Sequence, residues 1–232
     1  MSPGARTVIY WLFAAIAAAS FARAIPEMPP FGYFRSAYSA FVQHASVPLR
    51  HIDNAATAVN FDIRGFDTLG EEFIFFASVA GVMLMFSTAK GSVEVHEETD
   101  EGAPIAVKSP ATRWFATSLS AFLAAMAVNI AAHTTITPGG GFQGGAVLGS
   151  AVACIYLGCG FQAFTRVAKQ TLFDSLDSFG AFCYAAMGIA TALATGYFLN
   201  NVLPLGQIGA TVSGGLVQLI NGAVFIEIGC GF

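Results

Sequence analysis

Six long runs almost free of charge divide this sequence, and they leave it one kind of surroundings in which to fold. They lie at about residues 7–24, 68–89, 112–133, 142–165, 178–199 and 208–229. A helix needs about 20 mostly apolar residues to cross roughly 30 Å of hydrocarbon, and every run approaches or exceeds that length. A transmembrane strand is about half as long and alternates in polarity, which these runs do not. The expected fold is therefore all-α, a polytopic membrane protein of about six helices. Only 10% of the 232 residues are charged and 55% are hydrophobic, too few polar groups to cover a water-facing surface. The 13% of aromatic residues excludes a disordered chain. A net charge of -4 gives no basic face for nucleic acid. The outer surface is expected to meet the lipid bilayer.

The first run invites a second reading. Arg6, the apolar stretch through Ala19 and the triplet Ala22-Arg23-Ala24 have the pattern of a secretory signal. Arg23 within the triplet also fits an interfacial anchor, and a retained span is the reading taken. Pro26, Pro29 and Pro30 stop this helix. After Pro48, the spacing of Leu49, Ile52, Ala56 and Val59 predicts an amphipathic helix at the membrane surface or against a partner. The one hydrophilic stretch, 91–110, contains Glu94, Glu97, Glu98, Asp100 and Glu101. It is expected to link a two-helix module, 1–90, to a four-helix module, 111–232. With the N-terminus in the cytoplasm, Arg6, Lys90, Lys108, Arg113, Arg166 and Lys169 fall on the inner side, which favours both termini inside. Cys154, Cys159, Cys183 and Cys230 form no C-x-x-C pair and are expected to be small apolar packing residues. No metal or cofactor is expected, nor is any catalytic residue.

Two motifs carry the functional signal. The first is Arg64-Gly65-Phe66-Asp67-Thr68-Leu69-Gly70-Glu71, followed by Glu72. Thr68 and Glu71 have capping-box spacing, a structural role that competes with a functional one for Glu71. Glu72 has no such role open to it. It stands beside Phe73, Ile74, Phe75 and Phe76, where a carboxylate is costly unless it faces water, a cation or a protein partner. The second is Thr137-Pro138-Gly139-Gly140-Gly141-Phe142-Gln143-Gly144-Gly145. No Lys-Ser or Lys-Thr follows the glycines, so a phosphate loop does not fit. Without a preceding strand, neither does dinucleotide binding. Gly141, Gly145 and Gly149 recur every four residues and leave one bare helix face for a close neighbour. Free amides of the motif near an ion path remain a second use.

Residues 54–71 resemble the C-terminal end of the large A subunit of Mrp-type multisubunit cation/proton antiporters, and a related segment of small E-type subunits of membrane-bound hydrogenases. Residues 137–145 resemble the signature of the antiporter's B subunit, the MnhB domain. Ser213-Gly214-Gly215-Leu216, with Asn221 in the last helix, is similar to that subunit's closing pattern. The resemblance implies an E-like module fused to a B module, forming an accessory subunit beside larger ion-translocating ones. It also implies that Glu71 lies near an ion path at a subunit interface. B subunits often carry a His close before the glycine motif. Here Thr134-Thr135-Ile136-Thr137 separate His133 from Pro138, a departure from that pattern.

The expected function is thus an accessory membrane subunit of a cation/proton antiporter in a prokaryotic inner membrane, not an enzyme, with Na+ or H+ as the carried ion. Alternatives are a membrane subunit of an ion-pumping oxidoreductase, or a scaffold through which no ion passes. Candidate ion-path groups are Glu71, Glu72, Asp67, His133 and Glu227. All but Glu72 have a plainer reading. Glu227 can reach the interface from a helix end, His133 can close the third helix, and Asp67 can pair with Arg64. Asn129 and Asn221 are expected to donate interhelical hydrogen bonds. Asp174 and Asp177 are expected in a solvated turn with Arg166 and Lys169. The motif residues Pro138, Gly139, Gly140, Gly141, Gly144 and Gly145 are expected to pack helices.

Overall fold

The structure, a computed structural model, describes residues 3–28, 36–90 and 109–232. The acidic stretch assigned above as a linker lies outside the described residues except for its last two positions. Two compact units divide the chain, residues 1–40 and 41–232. The first holds helix α1, Pro3–Ala24, and a 3-10 turn, Ile25–Glu27, with Pro26 fixing the backbone where the helix stops. Within its own unit α1 buries no residue of its apolar window.

The larger unit is built on helices α4 (Gly65–Lys90), α5 (Pro110–Ala132), α6 (Gly141–Cys159), α8 (Gln170–Thr195) and α9 (Leu216–Gly231). Short helices α3 (Ala55–Ala58) and α7 (Phe161–Val167) lie between them, and α2 (Ala37–Arg50) runs into the unit from residue 41 onwards. Among the described residues the chain is helical and forms no strand, only an isolated bridge between Gly206 and Ser213. Five helices are long and apolar enough to cross a membrane: α1, α4, α5, α6 and α8. The sixth, α9, is shorter, at 16 residues. The fold is that of an all-α polytopic membrane protein. Large apolar side chains such as Leu193, Trp114 and Leu157 point outward, where lipid rather than water satisfies them.

Close contacts fix the helix directions. A Cβ on Gly180 would meet Glu227, and one on Gly231 would meet Asp177, so α8 and α9 run antiparallel. Gly141 faces Asn221, Gly145 faces Ile228 and Gly149 faces Phe232, so α6 and α9 run side by side in the same direction. Gly65 stands against Tyr184, whose hydroxyl donates to its carbonyl at 2.8 Å, while Phe75 packs on Gly231 and Phe232. Helix α4 therefore runs with α9 and against α8. Tyr184, Val217, Ile220, Val224 and Ile228 make the centre of the core.

Several helix ends differ from the sequence expectation. The fourth run does not continue to 165: Gly160, at φ 84°, ends α6, and α7 starts afresh. The fifth begins at Gln170 rather than 178, so Asp174 and Asp177 belong to helix α8 and not to a turn. Asp177 is buried, because it lies on the helix face that also carries Gly180, Ala181 and Tyr184 against α9. The sixth begins at Leu216 rather than 208, since Gly214 and Gly215 adopt positive φ angles of 75° and 61°, outside the helical region.

The amphipathic helix expected after Pro48 is also broken. Helix α2 ends at Arg50, and His51 takes a φ of 56°. The amides of Asp53 and Asn54 then donate to the carbonyl of Thr135 at 2.9 and 3.1 Å. Nor does Thr68 cap a helix. Helix α4 starts one turn earlier, at Gly65, after a π turn over Val59–Ile63. Arg64 and Asp67 pair across that first turn, and the carboxylate also complements the helix dipole.

Two ion pairs in this region differ in burial and so in expected weight. Arg50 Nε lies 2.9 Å from Asp62 Oδ2, and the Asp62 side chain is 3% exposed. Arg64 and Asp67 are both well exposed. Arg50→Ala strands a buried carboxylate whose other oxygen accepts from Asn201 Nδ2 at 3.1 Å, and is expected to lose about 1–3 kcal/mol. Arg64→Ala is expected to lose about 1 kcal/mol or less. Thermal midpoints of the two purified variants check the ranking.

Candidate functional site

The two sequence motifs meet. Asn54 caps α3, its side-chain oxygen accepting from the Ala56 amide at 3.2 Å. Its Nδ2 reaches the carbonyls of Thr134 and Thr137 at 3.0 and 2.9 Å, and Thr57 Oγ1 donates to Thr134 O at 2.8 Å. These bonds tie residues 54–57 to the turn that leads into the glycine motif. Between the two segments lies a cavity of about 410 Å³. One wall carries Glu71, Glu72 and Thr68 of α4, and another carries Pro138, Gly139 and Gln143 of the glycine motif. Asn54, Thr57 and Asn60 complete its polar lining.

Glu71 is exposed and Glu72 is 1% exposed, so one motif presents one acid to the surroundings and one to the interior. Among the described residues Glu72 Oε2 finds no hydrogen-bond partner. Desolvating an ionised carboxylate without a partner is strongly unfavourable, so burial favours the protonated form of the Glu72 side chain. Glu227 is fully buried in α9, and neither of its oxygens has a hydrogen-bond partner among the described residues. Its side chain turns inward against Gly180, one turn before α9 ends at Gly231.

The remaining candidates fall elsewhere. Asp67 is on the exposed side of α4 with Arg64 and does not line the cavity. His133 stands at the C-terminal end of α5 and is half-buried, its Nδ1 at 2.9 Å from the Asn129 carbonyl. Gly141, Gly144 and Gly145 are buried at helix crossings, the first and third against α9 and the second against α5. Gly140 is buried with Thr134 and Asn221 close by. Asn221 joins three helices: it accepts from the Gly141 amide at 2.5 Å and donates to Ala131 O at 2.8 Å. Among the described residues no three His, Cys, Asp or Glu side chains come together as a metal site, and all four cysteines are free.

Sequence reading missed Asp177 and the cavity residues Thr57, Asn60 and Thr68. Asp177 recurs with Gly180, Tyr184 and Gly188 at helical spacing, a buried-face pattern that could have revealed it. The cavity residues carry no local signal, because a distant turn makes them a lining.

These features define a multi-pass helical membrane protein with acids inside the bundle and a polar cavity at one end of it. The chain belongs to a known family: residues 111–232 match the domain related to the MnhB subunit of Na+/H+ antiporter. Glu71 and Glu72 precede the matched segment, whereas Asn221 and Glu227 lie within it. An uncharacterised protein of Methanocaldococcus jannaschii is 26% identical over 194 residues, covering 76% of this chain and 73% of that protein. In fold, the chain is similar to one in the membrane-bound sulfane sulfur reductase, an archaeal respiratory membrane complex. That match has a TM-score of 0.71 and 24% identity, over 97% of this chain and 94% of that one. It is similar also to part of a chain in the Mrp complex from Dietzia sp. DQ12-45-1b, with a TM-score of 0.69 and 18% identity. The whole of this chain is covered there, but only 25% of that one.

Proposed function

We propose that this protein is a membrane subunit of a cation/proton antiporter-type complex in a prokaryotic inner membrane. It braces neighbouring subunits and lends Glu71 and Glu72 to an ion route at their interface. The observation that carries this reading is the cavity itself. Both motifs of the sequence line it, and it holds an exposed and a buried carboxylate on adjacent residues. In this reading Glu71 meets the ion arriving from a partner subunit, and Glu72 binds or releases a proton as that ion passes. The carried ions are Na+ and H+. Energy comes from larger partner subunits, and this chain itself catalyses no reaction.

The test uses the intact assembly, purified through a tag on this chain and identified by mass spectrometry. In membrane vesicles, changing Glu71→Gln and Glu72→Gln together is expected to lower cation/proton exchange by about tenfold or more, with the subunit set unchanged. Wild-type exchange from an intact doubly substituted assembly would remove the transport role. The similarity to a respiratory complex supplies a second reading, a redox-driven pump, and iron–sulfur subunits among the co-purifying chains would favour it.

A further inference from the structure

Among the described residues, three acids inside the bundle belong to no ion pair and each leaves a buried oxygen without a hydrogen-bond partner: Glu72 on α4, Glu227 on α9 and Asp177 on α8. Their places follow from the packing. Phe75, one turn beyond Glu72, rests against Gly231 and Phe232, which lie one turn beyond Glu227. Because α4 and α9 run in the same direction, Glu72 and Glu227 share a level. A Cβ on Gly180 would stand 2.6 Å from Glu227 Cβ, and one on Gly231 would stand 3.0 Å from Asp177 Oδ1. Asp177 is therefore about one helical turn, roughly 5 Å, farther along the bundle. Glu227 is within electrostatic reach of both the other acids.

The two ends of this row open differently. Glu72 lines the polar cavity near the start of α4. Asp177 lines a second, larger cavity of about 860 Å³ at the opposite end of the bundle, between α4, α6, α7, α8 and α9. Exposed Lys169 and Asp174 stand in the same wall. Among the described residues the three acids do not form a metal-binding group. They are strung out in series, an arrangement that suits a proton, which needs one oxygen lone pair at a time. A metal cation needs several oxygens at once.

We propose that Glu72, Glu227 and Asp177 form a proton relay through this chain, joining the cavity at one membrane face to the cavity at the other. The relay rests on the reading given under Proposed function and adds to it a route and a species, H+. Glu72 takes a proton from water in the first cavity and gives it to Glu227, directly or across one water. Glu227 passes it to Asp177, which releases it to water beside Asp174 and Lys169. In each transfer one O–H bond breaks and one forms, and the sum is one proton moved from face to face. Glu227 is the middle station, and its burial between two acids keeps bulk water from short-circuiting the row.

The test is made in the complete assembly with Glu227→Gln, Glu227→Asp and Asp177→Asn. Proton movement is followed in vesicles with a pH-sensitive dye, and subunit composition by mass spectrometry. Infrared difference spectra supply a readout independent of transport, the C=O stretch of a protonated carboxylic acid. Glu227→Gln and Asp177→Asn are expected to slow proton movement by about tenfold or more, with composition intact. Glu227→Gln is expected to lose an infrared band that Glu227→Asp retains. Proton movement within about twofold of the parent in both neutral variants overturns the relay. If the Glu71→Gln/Glu72→Gln protein is inactive while these two are active, the relay falls and the antiporter reading stands. If all remain active, both fall. Should Glu227→Gln not assemble, Asp177→Asn decides by the same transport measurement.

Discussion

Gly141→Val is expected to destabilise the protein by about 3 kcal/mol or more, among the larger effects of adding volume to a packed core. The ordinary remedy for an added methyl group, a shift of neighbouring side chains, is closed at this position. A Cβ on Gly141 would collide with the Asn221 carbonyl oxygen and stand 2.8 Å from the Phe225 amide nitrogen. Both obstacles are backbone atoms inside α9, so the two helices must separate. Separation would also loosen the contacts of Gly145 with Ile228 and of Gly149 with Phe232 along the same face. In lipid, close van der Waals packing of this kind is a principal force between helices. Thermal unfolding of the detergent-purified chain measures the loss. Gly222→Ala serves as the control, because a methyl group there meets nothing within 4 Å, and it is expected to leave the midpoint unchanged or slightly higher.

Asn221→Leu is expected to cost about 2 kcal/mol by a different mechanism. Helix ends carry amides and carbonyls that their own helix cannot satisfy. Asn221 satisfies one of each, the amide of Gly141 at the start of α6 and the carbonyl of Ala131 at the end of α5. Leucine has the same branched shape in a bulkier side chain and neither polar atom, so both groups are left buried and unpaired. Interhelical hydrogen bonds in membranes are individually modest; the expected size comes from losing two at one junction. The same unfolding measurement checks it. Asn221→Leu combined with Gly141→Val is expected to cost less than the sum, because both act on one contact.

That junction also shows how far sequence reading reaches. The repeat of Gly141, Gly145 and Gly149 announced a bare helix face, and Asn221 stood out as a polar group in an apolar run. Neither fact named the other as its neighbour. Glu72 was likewise legible as an acid with no local reason to be where it is. For Glu227 the nearby helix end suggested an interfacial side chain, whereas its direction around α9 turns it inward. Asp177 was misjudged for the same reason, its sequence neighbours being polar although its helix face is not.

Alone, the sequence determined the membrane class, the helical state and the positions of most spans. These follow from hydrophobicity and chain geometry, which act over one helix at a time: an apolar run in lipid must satisfy its own backbone, and a helix does so without help. Tertiary structure decided where α6, α8 and α9 begin or end and which residues line the cavity. It also decided which acids are buried. Those depend on backbone reversals at a few glycines and on which face of each helix meets another, and both are set by contacts between segments tens to hundreds of residues apart.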